Sequence, residues 1–231
     1  MSNSPLVAVT ILSPYNSGER TAAIDRITPH CVVGQCTAEG LGEWFTRPAA
    51  PAMQASSNYG IDKDGRIGMY VPENMRSWCS SNSENDQRAV TIECASDTVE
   101  PYTMNDWVYT SLVNLCFDIC QRNGKNRLTW IPEKQDALSH IMEPKEMLLT
   151  VHRWFANKSC PGDWLFSRLG DLAATVTAML QGWPEDTPTP PAEQGPVYRV
   201  QLGAFRNRAY AVKMLETVKA AGFTDAFITS T

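Results

Sequence analysis

"RAVTIECA", residues 88–95, is the stretch from which the fold is read. Apolar and polar side chains alternate along it with the period of a strand, so Val90, Ile92 and Cys94 share one face while Thr91 and Glu93 share the other. An apolar strand face needs a covering layer. Two helical patterns supply one: Val108, Leu112, Leu115, Cys116 and Ile119 within residues 104–122, and Leu165, Leu169, Leu172, Val176 and Leu180 within residues 164–180, each at three- and four-residue steps. "ITPHCVV" (27–33) and "EMLLTVHRW" (146–154) read as further strands, and "SNYGIDKDGRIGMYV" (57–71) as a hairpin turning at Lys63-Asp64-Gly65. "TAEGLGEWF" (37–45) reads as a short helix capped by Thr37, with Glu39 at its positive end. The expectation is an α/β domain, a central mixed β-sheet flanked by helices.

The domain has a clear end. "GWPEDTPTPPAEQGP" (182–196) holds five prolines and three acidic residues, a composition that resists helix and sheet and favours an extended spacer. It separates a body, residues 1–181, from a tail, residues 197–231. The tail reads as β-α-β: a strand over 197–205, a helix over 207–221 stopped by Gly222, and a second strand beginning at 223. So short a unit buries little surface and is marginal alone.

Composition narrows the function. The net charge of -5 offers no basic stripe for nucleic acid. No apolar run approaches the ~18 residues of a membrane span, and the opening twenty residues lack the basic start and apolar stretch of a secretory signal. Synthesis in the cytoplasm is expected, with most of the seven cysteines free. Cys116 and Cys120 fit core packing, and Cys31 and Cys36 flank a turn where a disulfide is the minority alternative.

The chemistry-bearing residues cluster in "TVHRWFANKSCPGDW" (150–164). His152 and Cys160 lie eight apart, suited to a strand end and the loop returning beneath it, and Pro161-Gly162 turns the chain there. Catalytic zinc takes three nitrogen, sulfur or oxygen ligands and leaves a fourth position open. Of the two remaining histidines, His30 ends a buried strand, where an unpaired imidazole is costly, whereas His140 lies in "EKQDALSHIMEPKE" (133–146), which reads as exposed loop. On residues alone two readings stand: a metal site of His30, His152 and Cys160, or two satisfied core histidines and a buried thiol.

"ITPHCVVG", "SSNYGIDKDGRIGMYVPE", "NDQRAVTIECASD" and "LTVHRWFANKSCPGDW", in this order and spacing, resemble the zinc-dependent N-acetylmuramoyl-L-alanine amidases of type 2, which include phage endolysins and are related to peptidoglycan recognition proteins. The resemblance covers residues 5–181 and implies one zinc held by His30, His152 and Cys160. It implies Glu93 as general base towards zinc-activated water and Lys158 as the charge that stabilises the oxyanion. The implied reaction cuts the amide between N-acetylmuramic acid and the L-alanine of the stem peptide. Where some relatives carry a tyrosine or histidine before the hairpin strand, this chain has Ser57 and Asn58, with Tyr59 next. Asn58, Tyr59, Trp78, Arg76 and Trp154 are the expected substrate-groove residues, with Trp44 and Arg153 as further positions for sugar stacking or carboxylate contact.

The tail is similar to the first half of a SPOR domain, which implies glycan binding by a truncated unit or by two chains paired through their tails. Acting at the wall without a signal peptide implies release through a holin or by a non-classical route. The alternative is a recognition protein of the same fold that binds peptidoglycan without turnover. A zinc peptidase or deacetylase acting elsewhere on the polymer is a third reading.

Overall fold

The computed structural model describes residues 2–182, 208–220 and 226–228. The chain divides into two units, Met1–Asp186 and Thr187–Thr231. In the second, one helix is described, Arg208–Ala220, where the sequence places it. The expected tail strand over 197–205 lies outside the described residues, and 226–228 form no strand.

The first unit is built on a seven-stranded mixed sheet. Its strands are β1 (Val7–Thr10), β3 (Arg26–Cys31), β4 (Tyr59–Ile61), β5 (Ile67–Met69), β7 (Ala89–Cys94), β8 (Arg127–Thr129) and β9 (Glu146–Leu149), in the order β1-β5-β4-β7-β3-β9-β8. Only β4 and β5 pair antiparallel, as the hairpin requires; the other pairings are parallel. A two-stranded ribbon of β2 (Asn16–Glu19) and β6 (Met75–Ser77) stands apart.

The stretch over 88–95 becomes the middle strand. Val90, Ile92 and Cys94 are fully buried in one apolar cluster with Val108, Leu112, Leu115, Cys116, Ile119 and Cys120 of α3 (Asp106–Arg122), and with Leu169, Leu172 and Val176 of α6 (Leu169–Leu180). Asn105 starts α3 by accepting from the N–H groups of Trp107 and Val108. Across the sheet α1 (Ala38–Thr46) is capped by Thr37, which accepts from the Gly40 N–H, and lays Leu41 and Phe45 on Tyr70. Gly60 and Gly68 permit this packing, since a Cβ at Gly68 would lie 2.3 Å from the Tyr70 hydroxyl and one at Gly60 2.5 Å from Leu41.

Four local expectations change. The strand over 146–154 stops at Leu149, and His152–Trp154 form a single 3-10 turn closed by the Phe155 N–H on the His152 carbonyl. The helix over 164–180 is broken into α5 (Asp163–Phe166) and α6. At the break the Arg168 guanidinium donates to the Trp164 carbonyl at 2.9 Å, the acceptor that a continuous helix would use for a backbone N–H. The segment 133–146 contains α4 (Lys134–Ser139), pinned by buried Ala137. His140 at its end is not a free surface histidine: its Nε2 meets Glu146 Oε2 at 3.0 Å. All seven cysteines are free, including Cys31 and Cys36.

Candidate metal centre and its surroundings

Two neighbouring strands set the centre. β3 and β7 run parallel with His30 opposite Glu93, so both side chains leave the same face at the same end of the sheet. Thr28 and Thr91 follow one step below on that face, buried and hydrogen-bonded. The third component arrives from β9. After Leu149 the chain folds into the turn that carries His152, runs through Lys158 and returns at Cys160, where the Arg153 N–H meets the Cys160 carbonyl at 3.1 Å.

Ligand atoms of His30, His152 and Cys160 all lie within 4.8 Å of one another. Cys160 Sγ stands 3.3 Å from His30 Nδ1, and the two imidazoles meet edge to face with centroids 5.0 Å apart. His30 is 1 % exposed and its Nε2 is buried without a partner. Burial, with His152 beside it, holds the His30 imidazole well below its ordinary pKa, and burial beside Lys158 lowers that of His152. Both rings are therefore neutral at pH 7, the form that binds a metal. Burial pushes the Cys160 thiol well above its ordinary range, and a bound cation would reverse that by stabilising the thiolate. Two neutral imidazoles, one sulfur and an orphaned ring nitrogen fit a zinc-type donor set.

Glu93 borders this cluster. Its Oε2 is buried without a hydrogen-bond partner, and its Oε1 faces Cys79 Sγ at 3.7 Å. Burial raises its pKa to about 8, against which the Cys79 contact pulls down. A carboxyl group poised near neutrality suits general acid–base work. Ligand atoms of His30, Cys79 and Glu93 also fall within 4.8 Å of each other.

Two comparisons place the chain. A family model described as N-acetylmuramoyl-L-alanine amidase matches residues 20–163. The chain belongs to that amidase family. A second model, the SPOR domain, matches residues 187–231. Among solved structures the amidase resembles a selenomethionine derivative of AmpD (19% identity, 74% of this chain and 99% of that one, TM-score 0.50). It also resembles the endolysin amidase LysCS from Clostridium intestinale URNW (17% identity, 73% and 95% covered, TM-score 0.50). At these identities the likeness is one of fold. No curated protein matches the chain.

The amidase fold distributes the remaining sequence-predicted residues unevenly. Lys158 is exposed on the loop between His152 and Cys160. Trp78 is half-buried, stacked on Tyr15 with centroids 6.1 Å apart and donating from Nε1 to Ser17 at 2.6 Å; Arg76 contacts the same Ser17. Trp44 is 41% exposed beneath the Arg47 guanidinium. Asn58 and Tyr59 do not line a groove. Both are 0% exposed. The Tyr59 hydroxyl donates to Glu73 at 2.6 Å, while the Asn58 amide ties together Arg20, Val71, Pro72 and Thr91. Adjacent residues face opposite sides of the sheet, and both sides are covered here: Tyr59 joins the apolar cluster under α3, while Asn58 bonds Thr91 on the other face. Trp154 is 8% exposed and stacks flat on Trp130 at 5.3 Å. Arg153 is a clamp: it bonds the Ser159 carbonyl and Asp163 and covers the Phe166 ring, holding the loop that carries Lys158 and Cys160.

Sequence reasoning missed "CSSN", residues 79–82. Cys79 touches Glu93, and Ser81, at φ 59, places its hydroxyl 3.2 Å from His152 Nε2. A bond on one ring nitrogen fixes the tautomer and orients the other for a ligand role. The Asp86 carboxylate, on α2 (Ser83–Arg88), holds this loop by accepting from the N–H groups of Cys79 and Ser80. The signal was a non-glycine residue in the left-handed region, invisible in sequence.

Proposed function

We propose that this amidase cuts the bond between N-acetylmuramic acid and the L-alanine of the peptidoglycan stem peptide, with one zinc held by His30, His152 and Cys160. The observation that carries the reading is the convergence of those three residues beside a buried, unpartnered carboxylate oxygen of Glu93. The zinc would supply Lewis acidity towards the carbonyl oxygen and lower the pKa of water.

The chain's own groups do the rest. Glu93, with a pKa near neutrality, takes a proton from the attacking water and returns it to the leaving nitrogen. Lys158 on its exposed loop places a positive charge where the oxyanion develops. Ser81 and Arg153 position the His152 ring and the Lys158–Cys160 loop. The segment 187–231 would hold the enzyme on glycan strands, raising the local concentration of substrate. We place its action at the cell wall, reached through a holin or a non-classical route; among the described residues no helix is long and apolar enough to cross a membrane.

The test is digestion of purified cell wall with metal analysis of the same preparation. New amino-terminal L-alanine together with one zinc per chain is expected. Binding to wall without a new amino terminus would instead favour a recognition protein. Fragments from cleavage within the peptide, or loss of acetyl groups, would favour a peptidase or a deacetylase.

A further inference from the structure

Arg26 has no place in the chemistry above, yet it is 5% exposed. It heads β3, four residues before His30, and by strand alternation it faces the same side of the sheet. Among the described residues its guanidinium makes one hydrogen bond, from Nη1 to Asn85 Oδ1 at 3.2 Å, and its Nε is buried without a partner. Among the described residues Arg26 makes no ion pair; Asp25, next in sequence, is taken by Arg88. Burial and the neighbouring Arg88 lower its pKa, opposed by Asp25 and Glu84. A buried guanidinium without a carboxylate partner is expensive unless something else supplies one.

The space in front of Arg26 is an open pocket. Lys134 and Asn82 line it with Arg26, Trp154 and Leu138 form apolar walls, and Glu84 is the one acid among the lining residues. Lys134 is exposed and forms no ion pair among the described residues. The pocket is joined to the metal centre through the chain. Trp154 follows His152 in the same turn, and Asn82 follows Ser81, which bonds His152. Along β3 the distance from Arg26 to His30 is about 13 Å at ~3.3 Å per residue, the length of roughly four extended peptide residues.

We propose that this pocket binds a carboxylate of the stem peptide, some three to four residues beyond the amide that is cut, through Arg26 and Lys134. The proposal rests on the amidase reading for the identity of the ligand. The apolar walls take the aliphatic part of the acidic residue and the two cations take its charge. Glu84 at the pocket weakens the attraction, so its removal strengthens binding.

The experiment compares two muropeptides of one stem sequence, with free or with amidated carboxylates. Wild type is expected to favour the free acid about 10- to 100-fold in kcat/KM, the range of a hydrogen bond to a charged group. The ratio should fall towards one in Arg26→Gln, fall about threefold in Lys134→Ala and rise in Glu84→Gln, given the single-charge effects expected at part-exposed positions. Should Arg26→Gln fail to fold, the two exposed positions still move the ratio in opposite directions. A wild-type ratio within twofold of one, or a ratio that none of the folded variants changes, overturns the proposal. Calorimetric titration with the free stem peptide, which has no sugar and no scissile amide, separates the two readings. Peptide binding weakened by Lys134→Ala in a protein that cuts no muropeptide would sink the amidase reading and leave the pocket. Cleavage with no charge preference would do the reverse.

Discussion

Tyr59→Phe separates a structural tyrosine from a catalytic one. The hydroxyl lies in the core, donating to Glu73 Oε1 at 2.6 Å and accepting from the Ser4 N–H at 2.9 Å. Glu73 keeps Arg122, whose guanidinium reaches both its oxygens, so the carboxylate is not left unpaired. The loss is one hydrogen bond to a charged group plus an orphaned, nearly buried N–H, a cost of about 2–3 kcal/mol. For a domain of this size each kcal/mol moves the melting temperature by about 2–4 °C, so a drop of roughly 4–12 °C is expected. Turnover on cell wall at 25 °C should stay within about threefold of wild type, against the ~10²-fold or greater loss typical of removing a transition-state donor. Thermal melting and turbidity clearance on one preparation decide it. A variant that melts normally but loses activity a hundredfold would refute the assignment of Tyr59 to the core.

Cys160→Ser should leave a chain that folds but retains less than a tenth of the bound zinc after dialysis, read by elemental analysis, because a serine hydroxyl stays protonated where a thiolate forms. Lys158→Ala should keep zinc and the wild-type melting temperature while losing about 10²- to 10³-fold in turnover; full activity would remove the lysine from the reaction. In metal-free protein the Glu93 pKa is raised to about 8, so the folded chain binds the proton more tightly than the unfolded one. Stability should then fall as pH rises from about 4.5 to 8, seen as a declining urea midpoint that Glu93→Gln flattens. Glu146 works in the opposite sense. Burial alone would raise its pKa, but the Thr129 hydroxyl, the Glu143 N–H, His140 and Arg127 outweigh it and bring the value to about 2. That contribution is complete above about pH 4.5 and lost as pH falls towards 2, and with part-exposed partners it should reach about 2 kcal/mol, absent in Glu146→Gln.

The layers of the fold were legible because they rest on strong periodicity. Val90, Ile92 and Cys94 on one side, and the three- and four-step stripe of α3, specify a sheet covered by helices whatever the loops do. Local breaks escaped notice because side chains decide them: nothing in the leucine pattern announces that Arg168 will take the Trp164 carbonyl. At the site, the types and spacing of His30, His152 and Cys160 were readable, and the resemblance gave them roles. Cys79, Ser81 and Arg26 were not readable. What singles them out is a left-handed backbone angle, a 3.7 Å contact and an unpartnered guanidinium nitrogen, all properties of the folded chain.

The six-residue ladder between β3 and β7 fixes the spacing of His30 and Glu93 through main-chain bonds, independent of what fills the layers around it. Helix surfaces and core volumes can drift a long way through mutation while those two groups keep their separation. An engineer who regrafts loops or repacks α3 works on a frame whose working distance is inherited from peptide geometry. A one-residue slip of either strand would turn His30 or Glu93 to the opposite side of the sheet, so the tolerance ends abruptly at any insertion within Arg26–Cys31 or Ala89–Cys94.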